Sequence, residues 1–160
     1  MTKRQGRWMV AIALGAALVA GVPADVLART QKPTIKGRIN GKQFKAWSRG
    51  VSASYGNPFF IIGTGTKPGR SIRAFAFGCL IFEPPTTFPA TYTCNGNYNE
   101  TRIGRRPSVK VWGTLEGLQV TFDSFGSRAE GTVSGTLEIG ENPPIPVAVE
   151  GVRFSVPLVQ

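Results

Sequence analysis

Along residues 108–158 apolar side chains recur at every second position, and nowhere do they follow a helical spacing long enough for three turns. That period describes strands with one face in oil and one in water. In Ser108–Glu116, Val109, Val111 and Leu115 face one way, and Lys110, Trp112, Thr114 and Glu116 the other. Leu118, Val120 and Phe122 alternate with Gln119, Thr121 and Asp123; Val133, Leu137 and Ile139 alternate with Thr132, Ser134, Thr136 and Glu138. From Val147 to Leu158 the pattern changes parity. Val147 and Val149 share one side and Val152, Phe154 and Val156 the other, which predicts a β-bulge or bend at Gly151.

Upstream, residues 34–40 and 42–49 read as two strands joined at Asn40-Gly41, a pair suited to a type I′ turn. Weak and strong strands follow over 51–55 and 59–64, with Asn57-Pro58 turning the chain. Residues 71–82 are apolar at odd positions (Phe75, Phe77, Cys79, Ile81) and at several even ones (Ile72, Leu80, Phe82), which predicts a central strand. A Pro-rich loop covers 83–89, a short strand 90–94, and a mobile, polar, basic loop 95–107. Such spacing predicts an antiparallel β-sandwich of about eight to nine strands, with a small β-barrel as the alternative. The strands are too short and two-faced for an outer-membrane barrel.

The first 28 residues do not belong to that pattern. Lys3, Arg4 and Arg7 precede the uncharged run Trp8–Val22, and small residues allow cleavage after Ala28 or Ala24. This predicts a secretory signal peptide (residues 1–28), one domain over 29–160, and a periplasmic or secreted address without stable membrane insertion. In an oxidising compartment the two cysteines, Cys79 and Cys94, are expected to pair.

Histidine is absent, which removes the commonest general base and metal ligand. No cofactor motif or metal-ligand set appears, and Glu116, Asp123, Glu130, Glu138, Glu141 and Glu150 read as solvated carboxylates rather than a catalytic pair. The expectation is a binding or accessory protein, not an enzyme; a hydrolase working without histidine is the remote alternative.

Charge points to the partner. Residues 29–110 hold 14 bases against Glu83 and Glu100, whereas 111–160 hold Arg128 and Arg153 against six acids. Arg102, Arg105, Arg106 and Lys110 cluster with Tyr98 and Trp112, a set able to grip an anionic polymer if the rings are exposed; Trp112 reads equally well as core. Lys36, Arg38, Lys42, Lys45 and Arg49 form a second basic set with Trp47. For an exported protein, anionic glycan, lipopolysaccharide or an acidic protein are the expected partners, and nucleic acid is not. Interaction through a sheet edge is the alternative to anion binding.

The run I-N-G-K-Q-F-K-A at 39–46, together with G-T-V-S-G-T-L-E at 131–138 and V-E-G-V-R-F-S-V at 149–156, resembles the opening hairpin and closing strands of small bacterial envelope β-sandwich domains of unknown function, often lipoproteins. The lipidated cysteine of those lipoproteins is missing here, and the resemblance implies no catalytic residues.

Overall fold

The computed structural model describes residues 31–114, 117–139 and 145–158. The leader, Leu115, Glu116 and Glu141 lie outside the described residues. Ten antiparallel strands form the domain: β1 (Thr34–Ile39), β2 (Lys42–Lys45), β3 (Ser52–Gly56), β4 (Phe59–Gly65), β5 (Ser71–Leu80), β6 (Ala90–Arg102), β7 (Ser108–Gly113), β8 (Leu118–Phe125), β9 (Arg128–Ile139) and β10 (Ile145–Pro157).

The strands belong to one sheet rather than two, in the order β2-β1-β10-β9-β7-β6-β5-β4-β3, with β8 pairing β6 and β9. The sheet curls into a small closed barrel core with extra strands, so the all-β expectation holds and the barrel describes the architecture better than two stacked sheets. Aromatic rings meet across the interior: Phe60 of β4 packs on Phe122 of β8 and Phe154 of β10, and Phe44 of β2 on Phe75 of β5. Near the end of β2, the Trp47 amide donates to the Gly65 carbonyl at 2.8 Å, tying that end of the sheet to β4.

Local signals act as the residues require. Asn40 and Gly41 both take positive φ (55° and 67°) in the first hairpin. Gly151 (φ 54°) sits where the β9–β10 register shifts between Val149 and Val152, and the extra residue turns both parities inward. Val147, Val149, Val152, Phe154 and Val156 are all buried as a result. The disulfide Cys79–Cys94 joins β5 to β6. Among the described residues, no helix is long and apolar enough to cross a membrane.

Three expectations change. First, β6 does not stop at Cys94: it runs to Arg102, and only residues 103–107 connect it to β7. The stretch had read as a loop because Asn95 and Asn97 are exposed and Asn99, on the same face, is half-buried, while Gly96, Tyr98 and Glu100 turn inward. Second, β7 does not bury its valine face: Ser108–Val111 are all exposed and Trp112 is its buried residue. Val109 and Val111 are exposed and Trp112 is buried, because the bulky indole fills the space opposite Tyr98 and the two valines leave only small side chains in water. Third, β5 is central by pairing, between β4 and β6, yet only its odd face enters the core; Leu80, and Phe82 just beyond the strand, are exposed.

Candidate functional site

The site grows out of the inward face of the barrel at one end. Phe75, Tyr98 and Trp112 occupy one cross-strand row on β5, β6 and β7, with Phe44 against Phe75 and Tyr98. The Tyr98 and Trp112 rings are 5.5 Å apart. They form an aromatic layer across this end of the interior.

Two residues further along the same faces, the next row is charged. Arg73 pairs with Glu100 and Glu100 with Lys110; beyond them Ser71, Arg102 and Ser108 align. From the facing strand β2, Lys42 (two residues before buried Phe44) reaches Glu100 at 3.5 Å. The Arg73 guanidinium lies 5.9 Å from the centre of the Phe44 ring, a cation–π contact. Four cations from β2, β5, β6 and β7 therefore occupy the rows at and next to one carboxylate, above the aromatic layer, and Lys42 is the one within ion-pair distance of it among the described residues. A cavity of about 340 Å³ opens here, lined by Lys42, Glu100, Arg102, Ser108, Lys110 and Trp112, and by Ile145–Val147 on the far wall.

Glu100 is also held from below. The Tyr98 hydroxyl donates to its Oε1 at 2.8 Å. Burial, reinforced by this bond to a carboxylate, pushes the Tyr98 phenol well above its ordinary pKa, with Arg73 opposing. Trp112 Nε1 is buried without a hydrogen-bond partner among the described residues.

Comparison with protein-family models, with curated proteins and with solved structures found no match. The residues must speak for themselves.

Of the six residues singled out by sequence, Arg102, Lys110 and Trp112 line this cavity. Tyr98 and Trp112 are both core residues: Trp112 takes the core alternative, Tyr98 is corrected from an exposed ring beside a mobile loop to a buried one, and neither side chain is free to stack on a ligand. Strand pairing of Asn97–Arg102 with Ser108–Gly113 draws these rings inward. Arg105 and Arg106 are exposed in the 103–107 connection, outside the cavity but next to its rim. Lys42 belonged to the second basic set, and only the curl of the sheet brings it to the first. Arg73 and Glu100 were not foreseen. Their signal was parity, since each lies two residues from an inward aromatic, Phe75 or Tyr98.

Among the described residues, the acids of the last third do not form a comparable centre. Asp123 and Glu130 line one open groove on the outer wall. Glu130 accepts from Ser155 Oγ at 2.6 Å and lies 3.6 Å from Arg128 Nε. Arg128 is itself buried and donates to the Ser155 hydroxyl and to the Gln31, Lys32 and Ser155 carbonyls. This network pins the start of the described chain to β9 and β10.

Proposed function

We propose that the mature chain is an exported, non-catalytic binding module of the bacterial envelope that takes phosphate or carboxylate groups of anionic glycan at the basic barrel mouth. The observation that carries this reading is the placement of Lys42, Arg102 and Lys110 in one cavity with the single carboxylate of Glu100, and of Arg73 opposite Glu100 in the strand register. Lys42, Arg102 and Lys110 are exposed, so the positive charge of the mouth is open to a ligand arriving from solvent. Partly shielded walls also strengthen their attraction for an anion, and guanidinium groups match phosphate and carboxylate in geometry. The leader, the disulfide and the resemblance to envelope domains support the address.

The test is binding of a deacylated, phosphorylated lipopolysaccharide oligosaccharide by calorimetry at two salt concentrations. The wild-type affinity is expected to fall with salt. The triple variant Lys42→Ala, Arg102→Ala, Lys110→Ala is expected to bind at least roughly tenfold more weakly. Equal affinity in wild type and variant overturns the reading.

A second reading has one observation in its favour. Strand β3, last in the sheet order, is Ser-Ala-Ser-Tyr-Gly and carries no charge, whereas the opposite end strand β2 carries Lys42 and Lys45. Uncharged edges accept further strands. Association through β3 would persist at high salt.

A further inference from the structure

The outer wall carries a different arrangement. Lys45 of β2 pairs with Lys36 of β1, Lys36 with Arg153 of β10, Arg153 with Thr132 of β9, Thr132 with Thr121 of β8, and Thr121 with Thr91 of β6. Six residues thus form one unbroken cross-strand row, three cations followed by three threonines. Neighbouring strands lie about 4.8 Å apart, so the row follows the curved wall for roughly 24 Å. The Thr91 and Thr121 hydroxyls are 3.0 Å apart, and in the adjacent row Gln119 Nε2 donates to Thr93 Oγ1 at 3.1 Å.

Like charges placed directly opposite one another destabilise a sheet. One lysine would suffice to guard the β2 edge. Here three cations stand side by side with no acid in the row, and among the described residues the ion pairs are Lys42–Glu100 and Arg128–Glu130, neither of which involves them. The nearest acids are otherwise placed: Glu150 pairs in register with Arg38, and Glu130 is held by Ser155 and Arg128. Asp123 lies on β8, three strands along from Lys36, in a groove that both line. Two open grooves, of about 570 and 460 Å³, flank the row, and Lys36 and Arg153 line both. At the lysine end Trp47 is 36% exposed, in a depression shared with Lys32, Lys36 and Lys45.

We infer that this outer wall is a second binding site, a track for an extended acidic polysaccharide lying across the strands. Lys45, Lys36 and Arg153 meet successive carboxylates, the threonine row hydrogen-bonds sugar hydroxyls, and the Trp47 indole takes the flat face of a sugar ring at one end. A row of cations one strand apart along the outer wall suits a chain with a charge on each unit. The barrel mouth, about 340 Å³ and closed by its aromatic floor, suits a single group instead. The two sites share no cation and stand or fall separately.

The test uses the purified protein with polygalacturonate oligosaccharides of increasing length, and neutral dextran as control. Affinity is expected to rise with length until the chain covers the row, and dextran is expected not to bind. The triple variant Lys36→Gln, Lys45→Gln, Arg153→Gln is expected to weaken binding about tenfold and to flatten its salt dependence. Circular dichroism and the urea midpoint establish that this variant is folded; being exposed substitutions that relieve repulsion, they are expected to leave stability equal or higher. Trp47→Ala, made separately, is expected to weaken binding of the longest oligosaccharides. The mouth variant Lys42→Ala, Arg102→Ala, Lys110→Ala is expected to bind polygalacturonate within about twofold of wild type. Undiminished binding by the Lys36/Lys45/Arg153 variant, loss of binding in the mouth variant alone, or affinity independent of chain length overturns the track.

Discussion

Opening the Cys79–Cys94 bridge measures how much of the barrel depends on one cross-link. The bridge adds a rung to the β5–β6 ladder just past the Gly78–Asn95 pair and closes a loop with a sequence separation of 15. In the chain-entropy account a loop of that size is worth about 3 kcal/mol, because the unbridged unfolded chain gains conformations that the folded state never had. Pro84, Pro85 and Pro89 lie inside the loop and already restrict the unfolded chain, so the gain is trimmed to about 2–3 kcal/mol. For a domain of this size such a loss corresponds to a fall in Tm of roughly 10 °C. Both cysteines are buried, so alanine at both positions would add a packing loss to the entropic one. Reduction of the wild-type protein with a thiol keeps both sulfurs in place and isolates the loop effect. Urea unfolding of oxidised and reduced protein is the assay: the midpoint falls, and the slope m rises because a longer-reaching unfolded chain exposes more surface. A stability change under about 1 kcal/mol with m unchanged would refute the reasoning, and would mean that strand pairing alone fixes this loop even in the unfolded ensemble.

Two further outcomes follow from the inward face of the mouth. Trp112→Ala is expected to cost about 3–5 kcal/mol in urea unfolding, whereas Val109→Thr on the exposed side of the same strand stays within about 0.5 kcal/mol; comparable costs would mean that β7 turns its other face inward. The raised pKa of Tyr98 makes the folded state hold its proton where the unfolded chain, ionising near pH 10, does not. Stability from this group is therefore complete below about pH 10 and is lost as pH rises beyond it. Ultraviolet titration should find Tyr98 still protonated until the protein unfolds, and Tyr98→Phe should flatten the alkaline fall in stability.

Much of the fold was legible in the residues. Alternation located nearly every strand, since period two has no other compact solution for a chain without helical spacing. Asn40-Gly41 and Gly151 announced a hairpin and a bulge because positive φ is cheap there. The candidate site was half legible: Arg102 and Lys110 were in view, while Lys42, Arg73 and Glu100 were not assembled with them. Strand β6 was hidden by its outward asparagines, which look like loop when the inward Tyr98 is read as exposed.

By itself the sequence determined the period, the turns, the cysteine pair and the sign of the charge, all of which are properties of neighbours along the chain. Only the tertiary structure decided which side chain of β7 is dry, whether the strands form two sheets or one curled sheet, and that Lys42 near the start of the domain stands over Glu100. Alternation divides a strand into two faces but does not say which one meets the interior. That depends on what the opposite wall offers, and here β2 presents Phe44 to Tyr98 and Lys42 to Glu100.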